Sequence, residues 1–107
     1  MSEVENSVRE YLQKDETLQT PGNCRDSVSK IAQKLKEENP NIKISFLAYQ
    51  EAKKGPGVHY ALLIEDKERR ILVNAVKAPG FPVYIGNFES ENTHPNFKEM
   101  KECSEVL

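Results

Sequence analysis

Tryptophan is absent from this chain, cysteine occurs only twice, and 15 basic residues against 17 acidic ones leave a formal charge of just -2. Each scarcity excludes something. Two cysteines, Cys24 and Cys103, are too few for a disulfide scaffold, and a single bridge between them is not favoured. No CxxC pair or Cys/His cluster has the spacing of a zinc site, so neither a metal nor another cofactor is expected. A charge so close to balance supplies no basic face for a phosphate backbone, which argues against nucleic acid as a partner. No apolar run approaches the roughly 18 residues of a membrane span, and "MSEVENSVREY" lacks the basic start and apolar stretch of a signal peptide. No membrane partner is expected, and the chain as encoded reads as cytoplasmic.

What is present suits one well-solvated domain over residues 1–107: 37% of residues are apolar and 30% charged. There are no internal repeats, low-complexity tracts or domain boundaries. "SEVENSVREYLQK" opens with Ser2 and Glu5 in capping-box spacing and puts Val4, Val8, Tyr11 and Leu12 on one helical face ending near Asp15. Pro21 and Gly22 then forbid helix. From Cys24 a stripe of Val28, Ile31, Ala32 and Leu35 predicts a second helix, with Asn23 as N-cap and Pro40 as its stop. The period then changes. Ile42–Tyr49 alternates as a strand, "VHYALLIE" and "RILVNAV" joined by "DKER" predict an antiparallel hairpin, and "FPVYIG" a fourth strand. The tail suggests only a short terminal helix, and the charges of "KEMKECSEV" its solvated face. The fold class is therefore α+β: N-terminal helices, one of them beginning at Cys24, packed on an antiparallel sheet of about four strands.

Three residues invite a chemical reading. At the start of a helix Cys24 meets unpaired N–H groups and the positive end of the dipole, an environment that favours thiolate. An isolated cysteine, however, is more often simply the first apolar residue of its stripe. His59 begins a strand directly after "GPG" and interrupts an apolar run; a lone strand histidine is usually structural. Asn74 stands in "ILVNAV", a buried-strand pattern where a carboxamide needs a partner or costs roughly 1–3 kcal/mol.

The hairpin ties two of them together. A loop of two residues (Lys67, Glu68) or four (66–69) pairs Glu65 with Arg70, Leu63 with Leu72 and Ala61 with Asn74. His59 and Asn74 then share a face as diagonal neighbours about 7–8 Å apart, within reach of each other's side chains. A loop of odd length would turn Asn74 away. Thiol, imidazole and carboxamide make up the composition of a nucleophile, a base and an orienter. "KKGPG" (53–57) lacks the spacing of a phosphate loop and reads as a loop flanking His59. His94 before Pro95 has the setting of an exposed turn, and Cys103 that of half-buried packing.

In this order, "GNC" at a helix start, "VHYALLIED" on a strand and "ILVNA" on the next, the chain resembles the compact papain-like fold of papain-like proteases, transglutaminase-like enzymes and bacterial papain-fold toxin domains. The resemblance covers a core of about residues 21–86, and in size it is nearest the toxin domains. It implies catalytic roles for Cys24, His59 and Asn74, and an oxyanion-stabilising polar residue upstream, for which Gln19 stands close to a suitable place, with Asn23 or the Cys24 backbone N–H able to serve instead. In the toxin-like and transglutaminase-like branches the third residue is more often Asp than Asn. Asp66 is the weaker candidate, since the hairpin puts it in the turn, far from His59.

The implied activity is a cysteine-dependent hydrolase or acyl transferase acting on peptide or side-chain amides of proteins, of the thiol protease or deamidase type. Its partner is then a protein or peptide substrate. A toxin would further imply export by a non-classical route and an inhibitory, immunity-type protein blocking the cleft. The alternative is a non-enzymatic protein- or peptide-binding module on the same scaffold, with Cys24 as helix packing.

Overall fold

The computed structural model describes residues 2–50 and 58–103. It opens with helix α1 (Glu3–Lys14), whose N-cap Ser2 accepts the Glu5 N–H through its side chain. A short 3-10 turn (Glu16–Gln19) leads to α2 (Cys24–Glu38). Strands β1 (Lys43–Gln50), β2 (Val58–Asp66), β3 (Arg69–Asn74) and β4 (Tyr84–Asn87) follow, then a 3-10 turn (Pro95–Glu99) and β5 (Lys101–Cys103). All pairings are antiparallel and the order is β4-β3-β2-β1-β5. The predicted α+β class is the one found, with one strand more than expected.

That fifth strand corrects the reading of the tail. Lys101–Cys103 pairs with Phe46–Ala48 of β1, where a helical face had been expected. A three-residue segment of mixed charge carries no strand signal of its own; the open edge of β1 supplies the backbone partners. The segment "KKGPG" lies outside the described residues. In "FPVYIG" the strand begins only at Tyr84, because Phe81 belongs to a turn and Pro82 has no N–H to give a ladder.

The sheet is buried on both faces, which is why β2 reads as a nearly continuous apolar run. Alternation sends Leu62 and Ile64 of β2, with Ile71 and Val73 of β3, towards the helices, where they meet Val8 of α1 and Val28, Ile31 and Leu35 of α2. Ala61, Leu63, Leu72 and Leu47 point the other way and are covered by Phe81, Phe88, Phe97 and Met100 from the chain beyond β3. His59 shares the parity of Ala61 and Leu63, so it belongs to this second face.

The hairpin has the shorter of the two expected loops. Lys67 and Glu68 connect β2 to β3, with Lys67 at a φ of 59°, and the rungs include Glu65–Arg70 and Leu63–Leu72 as the pattern predicts. At the far end of the hairpin, the start of β2 meets the beginning of α2. There Cys24 and His59 line one cleft, and His59 is bonded to Asn74.

Candidate active site

Cys24 is delivered by a type II turn. Pro21 and Gly22 occupy its centre, Gly22 has a φ of 84°, and the Asn23 N–H donates to the Thr20 carbonyl at 3.0 Å. A Cβ on Gly22 would meet nothing within 4 Å, so glycine is required by the backbone alone. Cys24 is the first residue of α2 and is half-buried. The first helical bond runs from the Ser27 N–H to the Asn23 carbonyl at 3.0 Å, which places the Cys24 N–H among the donors the helix itself leaves unpaired.

Asn23 holds the N-cap position, but its side chain makes no capping bond. Its amide donates instead to the Thr17 carbonyl at 3.0 Å. That bond ties the 3-10 turn to the helix, as does the buried Ser27 hydroxyl, which donates to the Leu18 carbonyl at 2.6 Å. Gln19 ends the 3-10 turn and is exposed. Neither Gln19 nor Asn23 lines the cleft at Cys24; on this side its described lining is Pro21, Gly22 and Cys24, the start of α2.

His59 and Asn74 do meet. The imidazole Nε2 lies 2.7 Å from Asn74 Oδ1, with His59 only 8% exposed and Asn74 fully buried. The other end of the carboxamide settles the polarity of that bond: Asn74 Nδ2 donates to the Phe81 carbonyl at 3.2 Å and to the Pro82 carbonyl at 2.8 Å. Two acceptors claim the amide nitrogen, so the oxygen must face His59 and Nε2 must be the donor. The neutral ring then carries its lone pair on Nδ1. Burial is the larger influence on His59 and pushes its pKa below the ordinary value; the bond to Asn74 works in the opposite direction.

The same two carbonyls explain why asparagine suits this position better than aspartate would. A carboxylate would turn an acceptor towards both oxygens. Phe81 contributes more than its carbonyl, since its ring stacks on His59 with centroids 4.9 Å apart and planes at 29°. It is held there by a second Pro-Gly turn, in which Ala78 and Phe81 exchange N–H···O bonds of 3.1 and 2.9 Å and Gly80 takes a φ of 79°.

Cys24 and His59 line one cleft of about 590 Å³, within the ~300–1,000 Å³ of ligand sites. The thiol donates to the carbonyl of Val58, the residue just before His59, with an Sγ···O distance of 3.6 Å. The cleft also takes in residues the sequence did not single out: Tyr49, which pairs directly across from His59 on β1, Phe81, and Lys77. A tyrosine at a strand end and a lysine beside a turn carry no local signal; only the alternation of Ile42–Tyr49 placed Tyr49 on the side of Leu47.

His94 lies outside this cleft. It caps the second 3-10 turn, its Nδ1 accepting the Asn96 N–H at 3.1 Å. Cys103 packs from β5 against the helix-side core. Asp66 closes β2 beside the turn, at the opposite end of the strand from His59. Among the described residues no group of three or more His, Cys, Asp or Glu side chains could hold a metal ion, and no helix is long and apolar enough to cross a membrane. Compared with known proteins, the chain matches no family model, no curated protein and no solved structure.

Proposed function

We propose that this protein is a cysteine-dependent hydrolase or acyl transferase acting on peptide or side-chain amides of proteins, with Cys24 as nucleophile, His59 as base and Asn74 as the residue that orients the base. One observation carries the reading. The His59–Asn74 bond is locked by the Phe81 and Pro82 carbonyls in the sense that leaves the lone pair on Nδ1, and His59 lines the same cleft as Cys24. The order of the same three residues along helix and hairpin underlies the resemblance to compact papain-like enzymes.

In this mechanism the Cys24 thiol leaves the Val58 carbonyl and gives its proton to His59 Nδ1 as sulfur attacks the amide carbon. The carbonyl π electrons move to oxygen, where the first-turn N–H groups of α2 can stabilise the charge. His59 returns the proton to the departing amine, the C–N bond breaks, and a thioester to Cys24 remains. Water or an amine then gives its proton to His59 and attacks the thioester, and the acyl product leaves as the thiol is restored. Burial of His59 suits it to the role of base, because the ring is held neutral near pH 7.

A second reading has one observation in its favour. The bond from the Cys24 thiol to the Val58 carbonyl is also what a packing cysteine would make, as in a peptide-binding module with no chemistry. Alkylation by iodoacetamide separates the two. Cys24 and Cys103 are both half-buried, so Cys103 is an internal control for exposure. The enzyme reading expects Cys24 to react at least tenfold faster at pH 7.5, and that advantage to disappear in His59→Phe. Equal rates for the two cysteines would instead favour the binding module. A panel of amide-bearing protein substrates, scored for turnover by wild type and not by Cys24→Ala, then defines the reaction.

A further inference from the structure

A second depression of about 550 Å³ adjoins the cleft. The two share Pro21, Lys77, Ala78, Pro79 and Phe81, so they form one trough that runs from Cys24 and His59 past the Pro79 turn to His94. Its banks are the two Pro-Gly type II turns, Thr20–Asn23 and Ala78–Phe81, both with proline fixing φ at the second position. Walls of this kind are formed before a ligand arrives, and no ordering cost is added on binding. Apolar surface from Pro21, Ala78, Pro79 and Phe81 dominates the shared stretch.

Lys77 stands at the junction of the two depressions. It is exposed, and among the described residues it has neither an ion-pair nor a hydrogen-bond partner. No described residue lining either depression is acidic. In a chain of net charge -2, a lysine with no described acidic neighbour along a lining that otherwise holds apolar residues with Cys24, Tyr49, His59 and His94 marks a local preference for an anion.

We propose that Lys77 is a specificity-determining residue and that the trough takes an extended protein segment in which a glutamate or aspartate adjoins the attacked amide and an apolar side chain lies beyond it. The carboxylate pairs with Lys77 at the junction, and the apolar side chain fills the second depression against Pro79 and Phe81. This rests on the amide-directed reading of the cleft and adds the substrate class to it.

The test uses capped hexapeptides with a central glutamine, a leucine two positions away, and glutamate, glutamine or lysine between them, made with this order on either side. Binding to the full-length Cys24→Ser protein is read by 1H–15N chemical-shift titration, so that no turnover intervenes. The glutamate peptide of one orientation should bind roughly fivefold more tightly than its glutamine counterpart at 20 mM salt, with the gap closing by 0.5 M. Lys77→Gln should abolish that preference, and Lys77→Glu should make the lysine peptide the tightest. Equal affinities for all three peptides in both orientations, or a preference for glutamate that survives Lys77→Glu, would overturn the assignment. Failure here is separable from failure of the enzyme reading. A fast Cys24 with no peptide preference removes the role of Lys77, whereas a slow Cys24 with the preference intact keeps the docking site and removes the chemistry.

Discussion

Replacing Asn74 tests the centre of the site. Its carboxamide is fully buried and makes three bonds: 2.7 Å with His59 Nε2, 3.2 Å to the Phe81 carbonyl and 2.8 Å to the Pro82 carbonyl. Asn74→Ala leaves the His59 Nε2–H and the Pro82 carbonyl without a partner, while the Phe81 carbonyl keeps the Ala78 N–H; at about 1–1.5 kcal/mol for each orphaned group a loss near 2–3 kcal/mol is expected. Asn74→Asp is more diagnostic. It keeps an acceptor for His59 but sets a second carboxylate oxygen against two carbonyls, a clash relieved only by a proton on the carboxyl or by an imidazolium beside it.

The variant should therefore be about 2–4 kcal/mol less stable than wild type at pH 8 and recover part of that deficit by pH 5.5. Urea denaturation at the two pH values measures the stabilities, and 15N chemical shifts of the His59 ring report its tautomer and charge. Wild type should show protonated Nε2 and bare Nδ1 at pH 8, and Asn74→Asp a raised His59 pKa. Wild-type stability in Asn74→Asp at pH 8, or a loss under 0.5 kcal/mol in Asn74→Ala, would refute the account of the carboxamide as a three-way tether.

The buried imidazole also gives the wild type a pH dependence. With its folded pKa below the unfolded value of 6.5, His59 binds protons more readily in the unfolded chain, so its contribution to stability is complete above pH 6.5 and is lost as the pH falls towards the folded pKa. Urea midpoints should decline across that window, and His59→Phe should flatten the decline. Gly22→Ala should cost about 1–2 kcal/mol in thermal or urea unfolding, purely from the positive φ. Gly80→Ala should cost more by up to roughly 1 kcal/mol, because its Cβ would approach Asn96 Nδ2 to 2.8 Å and disturb the bond that amide makes to the Gly80 carbonyl. Arg69→Met should cost about 1–2 kcal/mol, since Glu5, whose side chain is 6% exposed, loses the guanidinium 2.8 Å away; half-exposure of Arg69 keeps the figure low.

Much of the fold was readable because its signals are short-range. The Ser2 cap, the Val4–Leu12 stripe, the Pro-Gly stop before Cys24 and the hairpin register all depend on residues within a few positions of each other. Register mattered most: a two-residue connection at Lys67–Glu68 keeps His59 and Asn74 on one face, so their contact could be anticipated from spacing alone. What escaped came from distant chain. The edge strand Lys101–Cys103 exists because β1 had unpaired backbone, and the Asn23 side chain makes no cap but is tied to the Thr17 carbonyl.

By itself, then, the amino-acid order determined that a helix begins at Cys24, that an antiparallel hairpin carries His59 and Asn74, and that the chain is α+β. Each follows from backbone restriction by proline and glycine or from the period of apolar side chains. Tertiary structure alone decided which nitrogen of His59 is bare, since that depends on the Phe81 and Pro82 carbonyls seven and eight residues beyond Asn74. It likewise decided that Phe81 stacks on the imidazole and that Lys77 lines both the cleft and the depression beside it. Hydrogen-bond polarity and the lining of a cleft are properties of surfaces brought together from separate stretches, and no local pattern encodes them.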